Sequence, residues 1–290
     1  MTALRDTAKA KLNLTLEVLG RRDDFYHEIR SLVAFAALGD SLELEPGQDL
    51  ALAVDGPFAA ALSSDNLVIV AAEAARSKAQ AITLGRFRLT KILPVAAGLG
   101  GGSADAASAL RLLARANPGT LDEESWREIA EGLGSDVPAC LLSRPALITG
   151  RGEVVTPVRG FPPCAVLLAN PGLQLAAAYV YGVLVSSDLL APPEQPPETL
   201  DFGGSFKRLL DHAAPRGNDL ELAALSLAPV IGEVLAALRR CRGAHLARLS
   251  GSGPTCFALF ATEDEAKRAA AEIKAKHPDW WVASSALQSS

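Results

Sequence analysis

The chain has 290 residues, 49% hydrophobic and 21% charged, a composition that excludes a disordered chain and leaves room for a large core and two domains. Its 28 basic and 33 acidic side chains give a formal charge of -5. That argues against a long basic surface for nucleic acid and leaves a local cationic phosphate pocket open. Four cysteines (Cys140, Cys164, Cys241, Cys256) without a CxxC pair and four scattered histidines (His27, His212, His245, His277) supply neither zinc spacing nor a disulfide framework, so reduced thiols are expected.

Met1 to Ala10 is too polar for a signal peptide, and no apolar run reaches membrane-spanning length, so a cytoplasmic protein without membrane contact is expected. From Lys11 to Val18, Leu12, Leu14, Leu16 and Val18 alternate with polar residues, the period of a half-buried strand. Lys11 and Asn13 then share the non-core face. A polar turn, Gly20 to Asp24, precedes an apolar stretch from Ile29 to Leu38, and Leu42 and Leu44 continue a strand pattern to Pro46-Gly47. Ser64-Asp65-Asn66 reads as a helix start before Leu67, Val70, Ala71 and Ala74. A short strand around Phe87 and Leu89 runs into Pro94 and a glycine-rich segment. Helical spacing follows at Ala107, Leu110, Leu113 and Ala114, then at Trp126, Ile129, Ala130 and Leu133, where Gly134 stops it.

The Gly- and Pro-containing stretch Arg144 to Pro163 is the candidate boundary, giving domains 1–155 and 156–290. Beyond it, Ala165 to Leu168 reads as a buried strand and the four-proline run Ala191 to Pro197 as a loop. Helices are expected around Leu209, Leu220 to Leu227 and Val230 to Leu238, a strand at Thr255 to Phe260 and a last helix at Glu263 to Lys276. No internal repeat emerges. Strands and helices mix without strict alternation, so an α+β fold is expected rather than a doubly wound sheet.

The segment Pro94-Val95-Ala96-Ala97-Gly98-Leu99-Gly100-Gly101-Gly102-Ser103-Ala104-Asp105-Ala106-Ala107 carries the chemistry. Its glycines permit positive φ and close approach to a ligand, and the following helix aims unpaired N–H groups and its positive dipole end at the loop. That is a site for a polyphosphate. Ser103 can cap the helix or offer its hydroxyl to a phosphate. No Lys-Ser/Thr follows the glycines, which excludes a P-loop, and the spacing does not fit a dinucleotide fingerprint. A ligand-free glycine loop is the alternative; the strand–Pro–Gly–helix context favours phosphate. A second turn, Ser250-Gly251-Ser252-Gly253-Pro254-Thr255, is either a tight turn or a second ligand-facing loop.

Pro94 to Ala107 resembles the ATP-binding motif of the GHMP kinase superfamily. Ala10-Lys11-Leu12-Asn13-Leu14, Tyr26-His27, Gly134-Ser135-Asp136-Val137-Pro138, Asn218-Asp219-Leu220-Glu221 and Gly251-Ser252-Gly253-Pro254-Thr255 narrow it to the branch that phosphorylates 4-diphosphocytidyl-2-C-methyl-D-erythritol, over about Ala10 to Phe260. The resemblance implies an ATP-dependent small-molecule kinase of non-mevalonate isoprenoid synthesis with a two-domain α+β fold. Its N-terminal ATP-binding and catalytic domain would be ribosomal protein S5 domain 2-like and its C-terminal substrate-binding domain ferredoxin-like, with the active site in a cleft between them. ATP with Mg2+ would lie on Pro94 to Ala104, near Asn66 and Lys91; the chain would act as a monomer or weak dimer, without nucleic acid.

By the same resemblance Asp136 is the base that takes the hydroxyl proton, although alone it reads equally as a helix cap. Lys11, alone a solvated strand lysine, would keep Asp136 ionised, hold the acceptor hydroxyl and offset charge on the transferring group. Asn13 shares its face and would meet substrate or make a structural hydrogen bond. Tyr26 and His27, otherwise loop packing, would meet cytosine by stacking and by hydrogen bonds, and Tyr181, otherwise a helix core residue, would form the opposite wall. Phe25 replaces a usual glycine, and Ala176-Ala177 a usual Ser-Thr. A homoserine or mevalonate kinase is the nearest alternative, and a dinucleotide-binding oxidoreductase or a nucleic-acid module the more distant ones.

Overall fold

The structure is a computed structural model describing residues 2–62, 65–184 and 199–289. The strands in chain order are β1 (Leu4–Asn13), β2 (Glu17–Arg21), β3 (His27–Gly47), β4 (Ala51–Asp55), β5 (Leu84–Thr90) and β6 (Ala146–Thr149). β7 (Val154–Pro157), β8 (Cys164–Asn170), β9 (Leu246–Leu249), β10 (Cys256–Phe260) and β11 (Trp281–Leu287) follow. The helices are α1 (Leu67–Lys78), α2 (Gly101–Ala116), α3 (Glu123–Leu133), α4 (Val137–Leu142) and α5 (Ala177–Val183). They continue with α6 (Phe206–Ala213), α7 (Glu221–Leu227), α8 (Val230–Arg239) and α9 (Glu263–Lys276). This is the expected α+β mixture. Ser64 and the Ala191 to Pro197 loop lie outside the described residues. No helix among the described residues is long and apolar enough to cross a membrane.

The helix signals act through caps. The Asn66 side chain accepts from Val68 N at 2.9 Å and starts α1, Asp122 accepts from Ser125 N and starts α3, and Thr262 with Glu265 forms a capping box on α9. Gly134 ends α3 as read. Two expectations change. Ser103 is not the cap of α2: Gly100 occupies that position at φ 62, and Ser103 is the third helical residue. The single strand expected over Lys11 to Val18 begins earlier, as β1, and breaks after Asn13. Leu14 N donates to Leu32 O and Leu16 N to Gly217 O, which bends the chain out of its ladder before β2.

The chain forms two compact units, each drawn from separate segments. The first comprises the described parts of 1–10, 38–95 and 100–143. In it the C-terminal half of β3 pairs antiparallel with β5, from Ser41↔Thr90 to Gly47↔Leu84, and β5 pairs parallel with β4. Helices α1 to α4 pack together beside these strands. Ala71, Ala72 and Ala75 of α1 and Ala104, Ala106, Ala107 and Ala109 of α2 are buried, and such small side chains let two helix backbones approach closely.

The second unit comprises 11–37, 96–99 and the described part of 144–290. Its sheet runs β3–β11–β8–β10–β9, every pair antiparallel, with α8 and α9 packed on it. β8 is the centre: all seven of its residues are buried, so no alternation marks it. β6 and β7 form a hairpin inside the stretch read as a boundary, and β6 pairs with β3 at Ser31↔Ile148. Replacing Leu168, fully buried on β8, with Ala removes core contacts on both flanking strands. Chemical denaturation of Leu168→Ala should show a loss of roughly 2–5 kcal/mol.

Candidate active site

Gly98 and Gly100 lie in the left-handed backbone region at φ 74 and φ 62, as does Ala96 at φ 50. Residues 96–99, which belong to the second unit, are tied down one by one. Leu175 N donates to Ala96 O, Thr255 N to Ala97 O at 3.2 Å, Ser250 Oγ to Gly98 O at 2.8 Å and Lys11 N to Leu99 O at 2.9 Å. A Cβ on Gly98 would stand 2.2 Å from Ser250 O and 2.8 Å from Gly253 N. The second glycine turn is therefore the bed on which the first rests, a structural partner that its own sequence did not identify.

From Gly100 the chain belongs to the first unit. The first intrahelical bond of α2 runs from Ala104 N to Gly100 O at 2.8 Å. The N–H groups of Gly101, Gly102 and Ser103 thus precede the ladder, and the positive end of a 16-residue helix dipole stands behind them. Under this turn lies Lys91, buried, its Nζ 3.5 Å from where a Cβ on Gly101 would be. Lys91 Nζ donates to Asp105 Oδ2 at 2.7 Å and to Asp40 Oδ2, and Asp40 Oδ1 accepts from Ile92 N and Leu93 N. Burial acts to lower the Lys91 pKa, but its two carboxylates outweigh that and raise it. Burial pushes Asp105 up to about 7, Lys91 pulling against it and Asp40 adding to it.

In the same unit, Asn66 lines a cavity of about 480 Å³ with Leu52, Val54, Ala59, Leu62 and Ile69. Its carbonyl oxygen is committed to the α1 cap, so its amide nitrogen is what it can offer a ligand. Asp136, half-buried, holds the N-cap position of α4 as the cap reading had it, without a side-chain cap bond there.

In the second unit, Lys11 and Asn13 are buried at 3% exposure each, not on a solvent face. Lys11 Nζ donates to Asn13 Oδ1 at 3.2 Å and Asn13 Nδ2 to Ser31 Oγ at 2.8 Å. Gly251 closes over Asn13: a Cβ there would come within 3.2 Å of Asn13 Oδ1. His27 and Tyr181 come together, their rings stacked with centroids 5.0 Å apart and planes 25° from parallel. Burial, with Arg21 nearby, lowers the His27 pKa, so the imidazole is neutral at pH 7 and offers one donor and one acceptor. Tyr26 is half exposed, with the Arg151 guanidinium 5.1 Å from its ring centroid.

The GHMP kinases N terminal domain family matches residues 66–144, and the GHMP kinases C terminal family matches 202–279. A "4-diphosphocytidyl-2-C-methyl-D-erythritol kinase" of Methylobacterium radiotolerans is 48% identical over 99% of this chain and 100% of its own. One of Bradyrhizobium diazoefficiens is 45% identical over 97% of each. The crystal structure of a 4-(cytidine 5'-diphospho)-2C-methyl-D-erythritol kinase superposes with a TM-score of 0.79 at 32% identity, covering 99% of this chain and 100% of that one.

The chain belongs to the 4-diphosphocytidyl-2-C-methyl-D-erythritol kinase family of GHMP kinases.

A homoserine kinase from Cytophaga hutchinsonii shares the fold alone, with a TM-score of 0.71 at 17% identity over 98% of this chain and 95% of that one. Within this kinase family the two departures have local effects. Phe25 holds φ 67 and is 79% exposed, with Arg21 5.7 Å from its ring centroid. Ala176 stands at the start of α5 and gives it no side-chain cap, which leaves the helix bearing Tyr181 without a contribution of about 1 kcal/mol. Sequence reading missed Asp40 and Ser31, whose types are common and whose partners are distant in the chain. Asp105 lay inside the glycine motif and could have been weighed as an acid on a buried helix face.

Gly98→Ala forces a side chain into backbone at a positive φ. Thermal and chemical denaturation should show a loss of about 1–3 kcal/mol.

Proposed function

We propose that the chain transfers the γ-phosphoryl group of ATP to the 2-hydroxyl of 4-diphosphocytidyl-2-C-methyl-D-erythritol, the compound of which its relatives are named kinases. The observation that carries the acceptor is the stacked pair His27 and Tyr181. A glycine loop before a helix serves any GHMP kinase, whereas a flat aromatic surface with a neutral imidazole suits a nucleobase and has no use for homoserine or mevalonate. The stretch 1–155 would bind ATP and carry catalysis, and 156–290 would contribute substrate binding. The two family matches fall on either side of that division.

The adenine would enter the cavity beside Asn66, and the phosphates would meet the segment Pro94 to Ala104, with the N–H groups of Gly101 to Ser103 as donors. Lys91 would act from beneath that turn. Mg2+ would accompany ATP, held by phosphate oxygens and water, and would supply charge neutralisation.

In the transfer step the acceptor oxygen bonds to the γ-phosphorus while the bond to the β–γ bridging oxygen breaks, releasing ADP. The hydroxyl proton passes to the Asp136 carboxylate. The Lys11 ammonium would offset charge on the transferring group, oriented by its bond to Asn13, which Ser31 fixes in turn. His27 would hydrogen-bond the cytosine and Tyr26 and Tyr181 would stack on it. A cytoplasmic monomer or weak dimer suffices for these roles.

ADP release with ATP, magnesium and the cytidyl substrate, run beside mevalonate and homoserine, tests the assignment: turnover is expected only with the cytidyl compound, and turnover with another acceptor alone would reject it. Asp136→Asn should lower kcat by roughly two to four orders of magnitude with the melting temperature unchanged. A variant turning over like the wild type would remove Asp136 from the step. Tyr181→Ala should raise KM for the cytidyl substrate about tenfold, the loss of a base-stacking contact, and leave KM for ATP in place.

A further inference from the structure

Two carboxylates share one buried ammonium beneath the first turn of α2, and they are not equivalent. Asp40 has its oxygens filled: Oδ1 accepts from Ile92 N and Leu93 N at 2.6 and 2.9 Å, and Oδ2 accepts from Lys91. Asp105 has Lys91 on Oδ2, but its Oδ1 is buried with no hydrogen-bond partner. With both ionised the triad carries one net negative charge, placed under the N–H groups proposed to hold a polyphosphate. With one proton it is neutral.

We propose that Asp105 is a positioning residue for ATP: with Asp40 it pins the Lys91 ammonium under Gly101, and it carries a proton whenever the polyphosphate is bound.

This role rests on the reading of α2 as the ATP site. Asp105, whose buried Oδ1 lacks the donors that Asp40 has, takes the proton, the neutral acid bonding to Asp40. The groups facing Asp105 are Lys91 from the β5–α2 connection and Asp40 from β3. Further along α2, Arg111 is committed to Asp6 of β1 at 2.7 Å, beside Lys9 of the same strand. The charged side chains of α1 and α3 pair at the surface, as Arg76–Glu73, Lys78–Glu128 and Arg127–Glu131, and the one titratable side chain of α4 is Cys140. Burial pushes the Asp105 carboxyl up to about 7. As pH rises through it the proton leaves, a net negative charge appears beneath the helix start, and ATP binds less tightly. By linkage, ATP binding draws a proton in.

Titration calorimetry of wild type and Asp105→Asn with magnesium-saturated ATP, from pH 6.5 to 8.5 in buffers of different ionisation enthalpy, tests this. The γ-phosphate of that nucleotide stays ionised over this range. Wild-type affinity should fall at least about fivefold across it, with proton uptake on binding, and Asp105→Asn should bind at all pH values with neither effect. Asp40→Asn, which removes the competing carboxylate, should move the wild-type transition to lower pH. Wild-type binding without pH dependence or proton uptake, or an Asp105→Asn protein that keeps the wild-type slope, would overturn the proposal. If Asp105→Asn does not fold, proton uptake by the wild type and the shift in Asp40→Asn decide. A wild type that binds no ATP at any pH would overturn the ATP site itself, a result distinct from binding that ignores pH.

Discussion

Backbone lies on backbone at Gly98, with the carbonyl of Ser250 where a side chain would begin. That contact makes two glycine-rich turns more than 150 residues apart in the chain into one object. Once they touch, Ser250 and Thr255 hold the carbonyls of residues 97–98, the same turn covers Asn13, and Lys11 bonds Leu99 through its backbone. The left-handed conformations of the loop are costly alone and persist because several hydrogen bonds over-determine them. Mobility is not what these glycines supply. They supply nearness, of a kind that any Cβ would abolish.

Beneath the helix that follows, the molecule keeps three ionisable groups almost out of water. A buried lysine with one carboxylate forms a pair of modest net worth, and a second carboxylate adds repulsion. Stability alone gives no reason for such a cluster, since apolar residues of equal volume would serve as well. Its place below Gly101 offers one: the helix start gains a fixed cation, and a single proton on its two carboxylates makes the cluster neutral. Asp136 stands in contrast, half-buried at the N-cap position of α4 without a side-chain cap bond there.

The aromatic side proposed for the nucleobase is built with less constraint. His27 and Tyr181 stack, but Tyr181 rides on a seven-residue helix without a side-chain cap, and Tyr26 and Phe25 project from a turn into solvent. Rigid hydrogen bonding at the glycine loop and a loosely held aromatic wall fit the two tasks differently. Phosphoryl transfer needs the reacting atoms fixed, whereas stacking on a base tolerates adjustment.

The sequence by itself determined the α+β class, the glycine loop before α2, the helix start at Asn66 and the helix stop at Gly134. All are local: they depend on a few neighbouring residues and on backbone preferences that no distant contact need supply. The motifs in their order also resembled those of the family to which the chain belongs. The tertiary structure alone decided that the two glycine turns form one bed, that Lys91 sits between Asp40 and Asp105, and that Lys11 and Asn13 are buried rather than solvated. It alone decided β11, β6 and β7 as well. Trp281–Leu287 is rich in small and polar residues and becomes a strand by pairing with β8 across more than 100 residues of chain. Alternation along a strand tells which residues leave one face. It cannot tell what covers the other, because that cover comes from chain far away.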